Sequence, residues 1–377
     1  MTRDIVFVTI SLGGAAGGLE RNITSIANYV SSTFNVHLVS FDWPHVRSFY
    51  EISNTVQWHK IATSEPHRRI GFLKRFHLLI KLRRILRNAK DPIIVVFHHG
   101  ILVRVLLSRV GISSTLVVSE RNSISLYEHV STSKWNANFL ALYFAKIITV
   151  QFGSYASDYP KMLRHKITAI PNALSTTLFV SSDRKKTERS EKKQILAVGR
   201  LCSQKQFEDL IHAFCALSEK YQDWFLKILG DGELRGELLT LIEDLGLNGR
   251  VNIQPSTTDV ATLYEEADIF CSTSKWEGFP NALAEAMAKG LPVIGYEECA
   301  GVNQLIHNAL NGILVPRDSN NASLTLHLEA LMTDPRLRQK LGRCATASVR
   351  QYSEEFVLPT WQSLFAMMQY EDWDIRN

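Results

Sequence analysis

Residues 92–97 read PIIVVF, an unbroken apolar run rich in β-branched side chains. Such a run, without polar alternation and too short for an ordinary helix, predicts a strand covered on both faces, as in a parallel sheet flanked by helices. The same signal recurs on either side of it: IVFVTI at 5–10, VHLVSF at 36–41, TLVVS at 115–119 and KIITV at 146–150. Helical patterns separate these runs, so the first part of the chain reads as a Rossmann-like α/β domain. A polar, charge-dense stretch, SSDRKKTERSEKKQ (181–194), then interrupts the rhythm as a linker or surface loop. The rhythm resumes with ILAVG (195–199), WFLKILG (224–230), VNI (251–253), DIFCS (268–272), LPVIGY (291–296) and GILV (312–315). A second doubly wound sheet follows. The expected division is 1–172 and 173–352. The tail from Asp334 to Met368 is expected to be helical and its last part, 353–377, to pack back on the first domain through Tyr352, Phe356, Trp361 and Phe365.

A length of 377 residues, 45% of them apolar and 21% charged, fits two globular domains and excludes collagen-like or wholly disordered chains. Five scattered cysteines without CxxC spacing suggest neither a disulfide framework nor a zinc site, and so a reducing compartment. MTRDIVFVTISLGG reads as a first strand rather than an export signal, and no stretch approaches the roughly 20 apolar residues that span a bilayer. The charge is divided unevenly. Through Asn172 there are 21 Lys and Arg against 9 Asp and Glu, and beyond it 21 against 28. A basic first half attracts phosphates or anionic lipid, or serves only as a solubilising surface.

In open α/β sheets ligands sit beyond the carboxyl ends of the strands, which makes the loops there the candidates. The first strand runs into SLGGAAGGLERN, where Gly13, Gly14, Gly17 and Gly18 precede a helix starting near Leu19. Glycines there either bring backbone N–H groups to a phosphate or merely make a tight turn. The first strand of the second domain ends in GRLCSQKQF, with Arg200 and Lys205 spaced to clamp a diphosphate or to begin a solvated helix. GDGEL (230–234) repeats the glycine turn, and Glu233 suits the start of the next helix. KWEGFPNALAEAMAKGLPVI (275–294) carries Glu277 on a loop before a helix beginning near Asn281, and Glu285 a turn inside an otherwise apolar helix. A buried carboxylate needs a partner, and a ribose diol is one that donates two hydrogen bonds.

GRLCSQKQFEDLIHAF, GDGEL and EGFPNALAEAMAKGLPVI, in this order over about 195–315, with GGLER (17–21) and IPNA (170–173), resemble glycosyltransferase family 4, retaining nucleotide-sugar-dependent enzymes of the GT-B fold. The resemblance implies two Rossmann-like domains facing a cleft, with a UDP-linked donor held mainly by the second. It implies that Arg200 and Lys205 hold the donor diphosphate, that Glu277 touches the transferred sugar and that Glu285 holds the ribose. Gly278, Phe279, Pro280 and Asn281 would offer backbone amides, Gly230 and Glu233 would line the donor, and Gly17 and Gly18 would close from the other domain. No metal or other cofactor is implied, because the cations and helix N-termini neutralise the leaving diphosphate. The chain departs from the family where many relatives carry His after the fifth strand: VVSERNS places Arg121 there, so no general-base His is assigned. Arg121 is placed to bind an acceptor or donor phosphate or to pair with Glu120. QPS after VNI lacks a common glycine, and Gln304 stands where an acid is common.

The acceptor side is read from the residues themselves. Residues 67–90 hold nine cations (Arg68, Arg69, Lys74, Arg75, Lys81, Arg83, Arg84, Arg87, Lys90) and no acid. Phe72, Leu73, Phe76, Leu79 and Ile80 form one apolar stripe, and Leu78, Leu82 and Ile85 a second. That pattern predicts a helix docking on an anionic membrane face, cytoplasmic by the missing export signal, while packing partly on its own sheet. A lipid-linked oligosaccharide or a lipopolysaccharide or O-antigen intermediate would then be the acceptor, and no recognition module points to nucleic acid. His98 and His99 follow PIIVVF and either contact the acceptor or cap the next helix. The expected activity is therefore transfer of a hexose or N-acetylhexosamine from a nucleotide sugar. The alternatives are a nucleotide-sugar epimerase of the same architecture and a non-catalytic nucleotide-sugar-binding protein.

Overall fold

A computed structural model describes residues 3–13, 17–62, 72–124, 126–129, 133, 135–179, 192–257 and 259–374. Gly14, Arg68, Arg69 and most of the 181–194 stretch lie outside the described residues, as does the Lys74 side chain. The apolar runs become strands: β1 (Ile5–Thr9), β2 (Val36–Ser40), β3 (Val56–Lys60), β4 (Ile93–Phe97), β5 (Thr115–Ser119), β6 (Ile147–Val150) and β7 (Ile167–Ala169). All are parallel, in the order β3-β2-β1-β4-β5-β6-β7. Every residue of β1, β4 and β5 is buried, which is why these central strands are rich in Val and Ile. The edge strands β3 and β7 expose part of each face and have no such run.

The second sheet holds β8 (Lys193–Val198), β9 (Trp224–Leu229), β10 (Val251–Gln254), β11 (Ile269–Ser272), β12 (Val293–Tyr296) and β13 (Ile313–Val315). Its order is β10-β9-β8-β11-β12-β13, again all parallel. In each sheet the order reverses once, between β1 and β4 and between β8 and β11. Those switch points are where the crossover helices part to opposite faces and leave room at the strand ends.

The chain divides into one unit of Met1–Ala173 with Glu355–Asn377 and a second of Leu174–Glu354. The tail forms two long helices. Pro335–Val349, capped by Asp334 Oδ1 accepting from Arg336 N (2.8 Å) and Leu337 N (3.0 Å), belongs to the second unit. Glu354–Asp374 delivers Val357, Leu358, Trp361, Leu364, Phe365 and Met368 into the core of the first sheet. There Phe365 lies 6.0 Å from Phe7 and 6.1 Å from Phe34, and Trp361 6.4 Å from Phe97, at angles typical of aromatic pairs. Two expected anchors behave otherwise: Phe356 is 57% exposed, and Tyr352 meets Phe279 within the second unit, centroids 5.5 Å apart. They sit on the wrong side of the turn or helix to reach that core.

In the first unit, helix α1 (Gly18–Val30) follows β1, and helices α2 (Phe72–Asn88) and α3 (Leu102–Arg109) pack together. α2 buries Leu78, Leu82 and Leu86, while Leu73, Phe76 and Ile80 face outward. The spacing of three and four residues separates the two stripes cleanly. Ile85 belongs to neither extreme and is half-buried.

Candidate active site

The loops after β8 and β11 meet at the switch point of the second sheet. Thr273 Oγ1 donates to the Lys205 carbonyl at 2.8 Å, Lys275 N to the Gln204 carbonyl at 2.8 Å, and Gln204 Nε2 to the Trp276 carbonyl at 2.7 Å. This stitching brings side chains 72 residues apart into contact: Lys205 Nζ lies 2.5 Å from Glu277 Oε1, with the two side chains 20% and 10% exposed. Glu277 N donates to the Ala300 carbonyl at 3.0 Å. Gly301, at φ +86°, passes so close that a Cβ there would lie 3.1 Å from Glu277 Cβ. The carboxylate is therefore set by backbone on two sides.

The glycine turn after β9 leans on the same loop. A Cβ at Gly230 would fall 1.9 Å from the Gly199 carbonyl oxygen, and one at Gly232 2.2 Å from that of Leu201. Leu201 N donates to the Asp231 carbonyl at 2.9 Å, and Leu234 N to the Leu201 carbonyl at 3.0 Å. Arg200 projects from this pairing into solvent, and Glu233 is exposed just before the Arg235–Asp244 helix.

Gly278, Phe279 and Pro280 are buried and lead into the Asn281–Ala288 helix, whose N-cap, Pro280, makes no side-chain cap. Asn281 Nδ2 turns back to the Phe279 carbonyl at 3.2 Å. The first-turn N–H groups of such a helix, with its dipole, favour an anion. Glu285 is 6% exposed, and its Oε2 accepts from Tyr264 Oη at 2.9 Å. One oxygen of the carboxylate thus has a phenol as partner, a residue that its apolar sequence neighbours do not announce.

At the switch point of the first sheet, Asp42 organises the glycine loop. Its Oδ2 accepts from Leu12 N at 2.8 Å and its Oδ1 from Ser11 Oγ at 2.5 Å, and Gly13 bridges to Ser48. Gly17 caps α1, and Gly18 is its first residue. The Glu20 carboxylate lies over Gly17, 1.8 Å from where a Cβ would be, so only glycine leaves it that position.

His98 takes φ +79°, uncommon for a side-chain-bearing residue, and its Nδ1 accepts from Gly100 N at 3.0 Å, capping the short helical turn that follows. His99 is buried and engaged at both ring nitrogens. Nδ1 pairs with Glu120 Oε2 at 2.6 Å and Nε2 with Tyr127 Oη, while His99 N donates to Glu120 Oε1 at 2.8 Å. Glu120 is thereby taken by His99 rather than Arg121. Burial alone would lower the His99 pKa, but the charge of Glu120 and its hydrogen bond outweigh burial and hold it above 6.5. Burial would likewise raise Glu120, and His99 holds it below 4.5.

The sign of the pH effect follows. The His99 share of stability is complete below 6.5 and disappears as pH rises through its raised folded value; the Glu120 share is complete above 4.5 and disappears as pH falls through its lowered one. The melting-temperature difference between the parent protein and Glu120→Gln is expected to be greatest between pH 4.5 and 6.5 and to narrow towards alkaline pH. A difference independent of pH from 5 to about 9 would show that the pair does not ionise.

Arg121 is 8% exposed and donates from Nη1 to Asn172 Oδ1 at 2.8 Å. Tyr264, Asp42, Gln204, Thr273 and Tyr127 were not marked by any sequence motif. The signal available was Glu285 itself, a carboxylate in an apolar stretch that needs a hydrogen-bond donor, here Tyr264. Among the described residues, no group of three or more His, Cys, Asp or Glu is placed to hold a metal ion.

Residues 180–347 match the family model for Glycosyl transferases group 1. An uncharacterized glycosyltransferase of Haemophilus influenzae is 28% identical, covering 93% of this chain and 97% of its own. Similar over 96% of this chain and 98% of its own, at 25% identity, is a Campylobacter jejuni alpha-1,4-N-acetyl-D-galactosaminyltransferase named for the acceptor GalNAc-alpha-(1->4)-GalNAc-alpha-(1->3)-diNAcBac-PP-undecaprenol. Among solved structures, Anabaena HepE in complex with UDP and glucose superposes with a TM-score of 0.79 at 18% identity, covering 98% of this chain and 99% of that one. The fold is that of GT-B glycosyltransferases, and the chain is similar to glycosyltransferases along nearly its whole length, with the match to the Glycosyl transferases group 1 model at 180–347.

Proposed function

We propose that the protein is a retaining family 4 glycosyltransferase that moves a hexose or N-acetylhexosamine from a UDP-linked donor to a lipid-linked oligosaccharide or a lipopolysaccharide or O-antigen intermediate. The observation that carries this reading is the Lys205–Glu277 contact at the switch point, beside an uncapped helix start and the Arg200 loop. In this reading the acceptor hydroxyl oxygen bonds to the anomeric carbon on the face from which the diphosphate departs. The anomeric carbon–phosphate oxygen bond breaks, and the hydroxyl proton passes to a phosphate oxygen. Arg200, Lys205 and the first N–H groups of the Asn281–Ala288 helix neutralise the charge on the leaving group without a metal, a role that can dominate catalysis. Glu277 accepts from hydroxyls of the transferred sugar, and Glu285, positioned by its hydrogen bond from Tyr264, holds the ribose. The Campylobacter jejuni relative, by its name, supports an N-acetylhexosamine and a lipid-diphosphate acceptor.

A panel of nucleotide sugars, scored by nucleotide release with and without a lipid-diphosphate-linked glycan, tests the reading. Acceptor-dependent release from one of them is expected. Sugar isomerisation without acceptor, or no turnover from any donor, would sink it.

The basic first half is proposed to hold the protein peripherally on the anionic cytoplasmic face of a membrane. No described helix is long and apolar enough to cross one. α2 supports docking: Leu73, Phe76 and Ile80 are 81%, 55% and 49% exposed, and Arg84 and Arg87 are exposed on the same helix. Arg75 is exposed as well. Arg83 does a different job, its Nη1 donating to the Ser108 and Val110 carbonyls at 3.2 and 2.5 Å and so closing the end of α3. Each basic side chain at such a surface contributes about 1 kcal/mol, so Arg84→Ser with Arg87→Ser is expected to weaken binding to phosphatidylserine vesicles at low salt roughly 30-fold. Unchanged vesicle binding would remove α2 from the docking surface.

A further inference from the structure

The guanidinium of Arg121 presents an unusual edge. It lies over two aromatic rings, with Cζ 5.3 Å from the Phe97 centroid and 5.5 Å from that of Trp361. Nη1 is committed to Asn172 Oδ1. Nε and Nη2, both buried, have no hydrogen-bond partner in the protein. Those two atoms form the fork that binds a carboxylate or phosphate through two parallel hydrogen bonds. With rings against the guanidinium and Nη1 taken, a ligand reaches Nε and Nη2 in the plane of the fork. The neighbouring carboxylate does not fill the place, because both oxygens of Glu120 are held by His99.

A second buried donor lies close by. Asn22, 2% exposed on α1, accepts from Ala173 N at 3.2 Å through Oδ1, while its Nδ2 is without a partner. Arg121 and Asn22 are thus fastened to the consecutive residues Asn172 and Ala173. Leaving charged and amide donors buried and unmatched costs several kcal/mol in principle, a deficit that a bound oxyanion removes. Burial pushes the Arg121 pKa down to about 9, and the nearby charge of Glu120 offsets only part of that.

We propose that Arg121 and Asn22 form an oxyanion site within the first unit that grips a phosphoryl group. This rests on the reading of the chain as a glycosyltransferase using diphosphate-bearing substrates. The phosphoryl group belongs either to the lipid diphosphate of the acceptor or to the nucleotide donor, and the chemistry of recognition is the same.

The test uses the full chain carrying Arg200→Ala and Lys205→Ala, which removes the two cations proposed to hold the donor diphosphate, with inorganic pyrophosphate titrated calorimetrically. Saturable binding is expected. Arg121→Lys keeps the charge but loses the planar fork, and Asn22→Asp replaces a donor with a negative charge; each should weaken binding about tenfold or more. No saturable binding, or binding untouched by both substitutions, overturns the proposal. If Arg121→Lys does not fold, judged by circular dichroism, Asn22→Asp decides alone. In the otherwise native chain, Arg121→Lys should raise KM for one substrate only. A rise for the lipid-diphosphate acceptor assigns the site to it, a rise for the nucleotide sugar assigns it to the donor, and no rise for either counts against the site. UDP affinity of Lys205→Ala, measured separately, reports on the donor reading itself, so the two can fail independently.

Discussion

Lys205→Ala is expected to lower kcat/KM for the nucleotide sugar by about 10²–10³-fold, the loss typical of removing one preorganised group that stabilises developing negative charge. Both KM and kcat should suffer, because the ammonium is proposed to hold the diphosphate in the ground state and to meet more charge as it leaves. The fold should survive. Lys205 and Glu277 are 20% and 10% exposed, so the pair is incompletely desolvated, and breaking it should cost the second unit only about 1–2 kcal/mol, less than for a fully buried pair. Glu277→Gln separates the two roles: it removes the ion pair but leaves the cation for the diphosphate, so donor affinity should fall less than in Lys205→Ala. A double-mutant cycle on UDP binding would measure the coupling directly. Equal donor affinity and turnover in Lys205→Ala and the parent protein would remove this residue from the site and the proposed mechanism with it.

Gly230→Ala should damage the same site from the backbone. The added methyl would lie 1.9 Å from the Gly199 carbonyl oxygen and 3.0 Å from its carbon, both backbone atoms of the loop that carries Arg200. No side-chain rotation relieves that overlap. The turn or the loop must move, at a cost of about 3 kcal/mol for overpacking a rigid contact, and Arg200 moves with it. The expected result is a lowered denaturation midpoint together with weaker UDP binding. Gly236 provides the contrast. It lies inside the Arg235–Asp244 helix with nothing within 4 Å of an added Cβ, so Gly236→Ala should stabilise by about 0.5–1 kcal/mol through helix propensity and leave UDP binding unchanged. Were Gly230→Ala as stable and as tight as the parent, the close approach of the two turns would be irrelevant to the site.

These expectations draw on two kinds of information. The central strands were legible because a strand buried on both faces must be mostly apolar, and β1, β4 and β5 are, with only Thr9, Thr115 and Ser119 polar, at strand ends. β3 and β7 were not, because an edge strand needs no such composition: VQWHK and ITA carry polar side chains on partly exposed faces. The tail was legible as helical, with 353–377 expected to pack on the first domain, but only packing decides that Trp361 and Phe365 enter a core while Phe356 does not. On α2 the two apolar stripes were visible in the spacing. Which of them faces inward was settled by the contact with α3.

By itself the sequence determined the fold class, the parallel order of strand and helix, and which loops stand at the carboxyl ends of strands, because these follow from local periodicity and from the need to cover apolar faces. Tertiary structure alone decided the partners: Lys205 with Glu277, Glu285 with Tyr264, and Glu120 with His99 rather than with adjacent Arg121. Charge pairing depends on distance in space. A folded sheet sets that distance by which strands lie side by side, so residues neighbouring in sequence can point apart while residues 72 positions distant share a hydrogen bond.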